Sequence, residues 1–289
     1  MREFDDQIRE IAKERIIAIE DYLHADAIFF YGPIYPSLEK QFRDFIEDLK
    51  ADKSGRDSIA IILTSPGGSA ETVEKLVDIV RYHYQQVHFV IPDEAMSAGT
   101  IFALSGDKIY MDYTSSLGPI DPQVHNGKEW VPALGYLDQV EKMIQKSAEG
   151  KLTDAELVIL QNLDLAMLSR YEQAKNLTIT LLKRWLVDYK FRDWMTHRTD
   201  PTKLHQPVTP AEKQERAEEI AKMLSDNKQW HSHGRKIGVR TLSKLLRIEI
   251  EDYSTNAELR RKVRSYSEFI TDYVNRHNRP FFLHSRRYF

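Results

Sequence analysis

The chain has 289 residues, with 41 Lys and Arg against 44 Asp and Glu, a formal net charge of −3 and 42% hydrophobic residues. That length buries a full core and fits one large α/β domain or one domain with a helical extension, and the charge balance gives no general argument for a nucleic-acid partner. Cysteine is absent, which excludes a thiol nucleophile, Cys-bound zinc and disulfides, and fits a cytoplasmic location. No apolar run approaches the ~18 to 20 residues of a membrane span, and the charged start Met1-Arg2-Glu3-Phe4-Asp5-Asp6 does not read as a signal peptide.

Residues 4 to 24 carry Ile8, Ile11, Ile16, Ile17 and Ile19 among charges and predict a helix, whose broad apolar face suits a neighbouring subunit. Ala27 to Tyr31 reads as a first strand, Gly32 to Pro36 as a loop and Leu38 to Leu49 as an amphipathic helix. Ser58 to Thr64 is a continuous apolar, β-branched run, as expected of a central parallel strand. The sharp turn Ser65-Pro66-Gly67-Gly68-Ser69 follows, and Ala70 to Tyr84 has apolar residues at helical spacing. Gly67 and Gly68 carry no side chain to block a peptide backbone, and their N–H groups can point at a carbonyl oxygen. An isolated Gly-Gly pair would serve the turn alone.

Val87 to Ile91 reads as a second buried strand ended by Pro92. Ala98 to Ala103 begins an apolar helix, with Ser97 at the junction. A serine on such a bend has its hydroxyl held up beside the unbonded N–H groups of the helix start, which can stabilise an oxyanion. Ala95-Met96-Ser97-Ala98-Gly99 is one residue from the Gly-x-Ser-x-Gly elbow, although Ser-Ala-Gly is also an ordinary loop. Both turns open at the same edge of a parallel sheet, where ligands of open α/β sheets bind. Asp107 to Asp112 is a short strand, and Tyr113 to Gln123 a loop passing over the site.

From Leu134 to Asp226 the chain reads as almost continuously helical, with capping boxes at Thr153-x-x-Glu156 and Thr209-Pro210-x-Glu212. Leu157, Leu160, Leu163, Leu165, Leu168, Leu177, Leu181, Leu182, Trp185 and Leu186 form an apolar ridge, read as core packing or an oligomer interface. Arg198 to Gln206 is a polar loop between helices. Asn227 to Lys236 (NKQWHSHGRK) is a loop with two histidines. Arg247 to Tyr253 alternates as a strand, and Thr255-x-x-Glu258 reads as the cap of a last helix. The arginines and aromatics after residue 259 are read as a solvated face and a docking tail, with an anionic partner as the lesser reading.

Taken together, Pro66-Gly67-Gly68-Ser69, Ser97-Ala98-Gly99-Thr100, Asp107 to Asp112 and Ser116-Leu117-Gly118-Pro119-Ile120-Asp121-Pro122-Gln123 resemble the Clp-fold serine peptidases. That group includes the Clp protease subunit, signal peptide peptidase A and archaeal membrane-linked relatives. The nearest likeness is to the SDH-family Clp-fold serine proteinases. The motifs span residues 55 to 125, and a looser outline reaches residue 253. The resemblance implies that Ser97 is the nucleophile and that the N–H groups of Gly68 and Ala98 form the oxyanion hole. It carries over no base. The slot of the archaeal lysine falls near Pro132-Ala133-Leu134, and that of the Clp histidine near Ile120-Asp121-Pro122.

A serine needs a proton acceptor within hydrogen-bond reach. His233 is the first choice, because imidazole suits proton transfer near neutrality and its loop contains glycine; His231 is the alternative in the same stretch. Either histidine also reads as a structural cap. Asp121 is placed to orient the histidine or to cap the loop before Pro122. Lys142 and Lys146 lie four apart on one helix face and suit a Ser-Lys dyad, and His125 is a weaker candidate. His231-x-His233 alone is a thin zinc motif, and Pro-Gly-Gly lacks the Gly-Lys-Ser/Thr ending of a phosphate loop, so no metal or cofactor is expected.

The expected fold is α/β, a Clp/crotonase-type series of repeated βα units with a largely helical C-terminal extension. Its parts are residues 1–133, a helical extension at 134–226, and a returning segment at 227–289. The expected function is a soluble serine endopeptidase acting on a peptide or unfolded protein through a Ser97 acyl-enzyme, with Gly67 and Gly68 beside the substrate strand. A homo-oligomer without a membrane span is expected. A crotonase-like acyl-CoA enzyme and a non-catalytic peptide-binding scaffold are the other readings.

Overall fold

Runs of β-branched and aromatic residues without polar alternation cannot leave one face in water, and here they become strands covered on both sides. The computed structural model describes residues 2–52, 55–120, 123–125, 130–198 and 201–289, without the side chains of residues 2–5, 123–125, 130–134 and 227. Helix α1 (Arg2–Leu23) leads into β1 (Asp26–Tyr31), α2 (Glu39–Ala51), β2 (Ser58–Thr64), α3 (Ala70–His83) and β3 (Gln86–Ile91). The short β4 (Glu94–Ala95) precedes α4 (Ala98–Leu104), β5 (Lys108–Met111) and β6 (Ser116–Leu117). A hairpin, β7 (Gln123–His125) and β8 (Trp130–Pro132), opens into α5 (Ala133–Ala148), α6 (Asp154–Gln161) and α7 (Leu165–Trp185). A π turn, Leu186–Lys190, continues α7. The rest comprises α8 (Pro210–Leu224), α9 (Asn227–Trp230), β9 (Ile237–Gly238), α10 (Val239–Lys244), β10 (Glu251–Asp252), α11 (Ala257–Arg276) and β11 (Phe282–Ser285).

The main sheet has six strands in the order β10-β5-β3-β2-β1-β11, parallel except for β11. Its odd and even residues feed two cores. Ile59, Ile61 and Leu63 of β2 face α2, α3, α4, α7 and α8, while Ala60 and Ile62 face α1 and α11. A second sheet, β4-β6-β9, sits at the C-terminal edge of the first and is joined to it by a parallel bridge between Ser65 and Ala95.

Several expectations change. Helix α1 does not turn its apolar face to another subunit: Ala12, Ile16 and Ile19 are buried within this chain, in the core shared with α11. The last helix is capped by Asn256, whose side chain accepts from the Leu259 N–H at 3.1 Å, and not by Thr255. Asn256 stands immediately before the helix, and Thr255 one residue too early. The aromatic tail docks on its own sheet, as β11 alongside β1. Some of its arginines are matched internally, Arg264 to Asp112 at 2.7 Å and Arg287 to Asp48 at 2.7 Å, while Arg261, Arg276 and Arg279 stay exposed as a solvated face. Arg286 reaches Glu20 at 2.6 Å, Asp26 at 2.9 Å and Asp52 at 2.9 Å. The strand expected at 247–253 shrinks to β10.

The apolar ridge divides in two. Leu181, Leu182, Trp185 and Leu186 are buried in the core, whereas Leu157 is 44% and Leu165 77% exposed, and α6 has no buried residue. Both capping boxes form as the sequence predicts.

Candidate active site

The site grows from the ends of β2 and β3. Beyond β2, the Ser65 N–H donates to the Glu94 carbonyl at 3.0 Å and the Ser65 carbonyl accepts from Met96 N–H at 2.9 Å, which joins the two turns. The Gly67 N–H is turned inward onto Ser65 Oγ at 3.1 Å. Ile34 clamps the other side: its N–H donates to the Gly67 carbonyl at 2.8 Å, and its carbonyl accepts from Ser69 N–H at 2.9 Å. In such a parallel bridge the residue between the two bonded ones turns its own N–H the other way. The Gly68 N–H therefore points away from Ile34.

Both glycines are required by space. Gly67 has φ +109 and a Cβ there would stand 2.8 Å from the Ser97 Cβ. Gly68 has φ +150, and its Cβ would stand 2.1 Å from the Ile34 carbonyl oxygen. Ser69 ends the turn by capping α3, its Oγ accepting from Thr72 N–H at 3.0 Å.

Ser97 takes φ 51 and ψ −117, a conformation that costs a non-glycine residue of order 1 to 3 kcal/mol and persists only where the surroundings impose it. They do so here through Gly99 N–H to the Met96 carbonyl at 2.8 Å and Thr100 N–H to the Ser97 carbonyl at 2.9 Å. Ser97 is 5% exposed. Gly99 lets the helix start pack against Ser65, whose Cβ would lie 3.3 Å from a Cβ added there. Among the described residues, the N–H groups of Gly68 and Ala98 have no hydrogen-bond partner. One unsatisfied donor thus directly follows a serine on a strained bend, and the other belongs to the residue after Gly67, which packs against that serine.

The loop of His231 and His233 is tied to the same edge. Strand β9 pairs with β6, β6 pairs with β4, and Lys236 reaches Glu94 at 2.8 Å. His233 is half-buried, its Nδ1 is buried without a partner, and burial pushes its pKa below the ordinary 6.5. It makes no hydrogen bond to Ser97. His231 is exposed with φ 60. Lys142 is exposed on α5, and Lys146 is held by Glu156 at 2.6 Å. Asp121 lies outside the described residues, as does the side chain of His125. Ser97, Gly67, Gly68 and Ala98 are therefore brought together, and no candidate base joins them by a hydrogen bond to Ser97 among the described residues. The described residues hold no group of three His, Asp or Glu able to bind a metal ion.

Two residues of this edge escape a reading of the sequence. Ser65 and Thr100 spend their hydroxyls on the turns themselves, and both lie within the quoted motifs, where a Ser or Thr beside a glycine turn is the available signal.

Residues 2–211 match the family of ClpP-like SDH-type serine proteinases. The chain belongs to that family. It is a serine peptidase, a hydrolase of α/β fold with a sheet rich in parallel strands. Two uncharacterized proteins of Methanocaldococcus jannaschii are similar, one 29% identical over 72% of this chain and 70% of its own length. The other is 28% identical over 74% of this chain and 70% of its own. Among solved structures, the 1510-N membrane-bound stomatin-specific protease, as a variant in complex with a substrate peptide, is similar with a TM-score of 0.46. It is 17% identical to this peptidase over 81% of this chain and 76% of that one. The same protease from Pyrococcus horikoshii, described as specific for a stomatin homolog, gives 28% identity and a TM-score of 0.28 over 32% of this chain and 46% of that one. Membership rests on the sequence match, not on these structures. No described helix of the peptidase is long and apolar enough to cross a membrane.

Proposed function

We propose that this serine peptidase is an endopeptidase that attacks through Ser97 and holds the tetrahedral oxyanion on the N–H groups of Gly68 and Ala98. The observation that carries the reading is the pair of unpartnered N–H groups beside a buried serine at φ 51. Donors fixed in advance at the place where negative charge develops stabilise the transition state without reorganising. An extended peptide or unfolded protein segment beside Gly67 and Gly68 would present its carbonyl to both donors while adding main-chain hydrogen bonds.

His233 serves as the base in this reading, oriented by Asp121. Its support is an imidazole that burial keeps neutral, with an acceptor nitrogen not engaged elsewhere, on a loop anchored beside β4. Closure of that loop over the bound peptide completes the site, as catalytic hydrogen bonds often tighten only once substrate is in place. Homo-oligomers are favoured by the exposed apolar side chains of Ile144, Leu157, Val158, Ile159 and Leu165 on α5, α6 and the start of α7. No observation favours the acyl-CoA enzyme or the scaffold.

Labelling with a fluorophosphonate probe, followed by intact-mass and peptide mapping, tests the assignment. One adduct on Ser97 is expected in the wild type and none in Ser97→Ala, with peptidase activity reduced on the order of 10⁴-fold or more. An adduct that persists in Ser97→Ala would show that another residue is the nucleophile.

A further inference from the structure

Thr100 stands in the first turn of α4 and is fully buried. Its Oγ1 donates toward the Ala95 carbonyl oxygen at 2.8 Å and lies 3.0 Å from the Gly118 carbonyl oxygen. The same atom accepts the Gly118 N–H at 2.9 Å. One hydroxyl therefore donates its single proton to the residue two before Ser97 and accepts from the N–H of the first residue after β6. Gly118 lies directly on that bend, for a Cβ there would come 2.7 Å from the Met96 Cε and 3.3 Å from the Met96 Cα.

A strained φ at Ser97 requires neighbours that over-determine it. Ser65 fixes the Met96 N–H from one side. From the other, Ala95 and Gly118 are held by Thr100. A β-branched side chain suits this use, since its hydroxyl is locked by restricted χ1 rotation.

We propose that Thr100 is a positioning residue of the peptidase reaction: its hydroxyl pins the Ser97 bend to the loop leaving β6, keeping Ser97 Oγ and the Ala98 N–H aligned on the scissile carbonyl. This rests on Ser97 being the nucleophile.

The test compares Thr100→Val, which keeps the shape and removes the hydroxyl, with Thr100→Ser, which keeps the hydroxyl. Each is read by the fluorophosphonate labelling rate of Ser97, by kcat and KM on a peptide substrate, and by the urea midpoint. Thr100→Val is expected to lower labelling rate and kcat about 10- to 100-fold, the scale of a small misalignment, with KM nearly unchanged. Thr100→Ser is expected to restore both rates to within about threefold of wild type. A folded Thr100→Val that labels at the wild-type rate overturns the proposal, as does a Thr100→Ser that falls as far as Val. Should Thr100→Val fail to fold, Thr100→Cys, close in shape and a poor donor, takes its place in the same comparison. A wild-type adduct found elsewhere than on Ser97 would remove the nucleophile assignment and this proposal together, whereas normal labelling of Ser97 in Thr100→Val removes only the role of Thr100.

Discussion

The two ends of β3 are built on opposite plans. At its start, charge is answered by charge. The Asp107 carboxylate accepts from Arg81 at 2.6 Å and from the Val87 N–H at 2.8 Å, and pairs with Arg192 at 3.3 Å. Arg81 lies over the Tyr189 ring at 3.6 Å, and Lys190 donates to the Asp107 carbonyl at 3.2 Å. At its far end, Ala95 to Thr100 contain no charged side chain, the turns are made of small residues, and two N–H groups are left unmatched. The difference separates holding the fold from presenting chemistry. Donors already committed to carboxylates have nothing to offer a ligand; donors held rigid and unpaired do.

Changes at the two ends should then move different observables. The largest effect is expected at the presenting end. His233→Ala should slow Ser97 labelling about 10²- to 10⁴-fold, the usual share of a general base. Because burial disfavours the imidazolium, the acid limb of the wild-type rate should be centred below pH 6.5, as protonation removes the acceptor. A limb centred above pH 6.5, or a rate unchanged in His233→Ala, would assign the base elsewhere.

At the holding end, Asp107→Ala leaves Arg81, with its side chain 10% exposed, without its carboxylate. Removing one partner of a buried pair costs about 3 to 5 kcal/mol, measurable as a lower urea midpoint. Labelling of Ser97 per folded molecule should stay at the wild-type level, and a matching loss of labelling would show that the two ends are coupled. Gly68→Ala reverses the pattern. Its Cβ cannot stand 2.1 Å from the Ile34 oxygen, so the turn must shift and take the donor with it. A loss of about 10²- to 10³-fold in labelling is expected, typical of one oxyanion donor, and an unaffected rate would exclude Gly68 from the hole.

The presenting end was largely legible in the sequence because it is local. A β-branched run, a proline and a cluster of small residues fix strand, bend and helix within about a dozen positions, and Gly67, Gly68, Ser97 and Ala98 come together through two such units. What could not be read depends on residues far apart. The apolar face of α1 gives no sign that its cover is α11, more than two hundred residues on. Arg264, Arg286 and Arg287 look solvated in the sequence until Glu20, Asp26, Asp48 and Asp112 are placed opposite them. Leu157 and Leu181 have the same character in the sequence, yet one is exposed and the other buried, since periodicity marks an apolar face but not what lies against it. The proposed base, His233, belongs to this class, since whether it meets Ser97 is a matter of where a distant loop comes to rest.

The pairing of β11 with β1 sets an order on folding. Phe282 to Ser285 bond along Tyr31 to Ile28, and Arg286 closes over Glu20 and Asp26 from the opposite end of the sequence. Until those residues leave the ribosome, β1 is an apolar edge strand with open backbone groups, the kind of template on which chains aggregate. Contacts between such distant segments are slow to form, because the loop they close is long and costly in entropy. The sheet that carries Ser97 is thus sealed only after the segment up to Arg286, far along the chain from β1, has been synthesised.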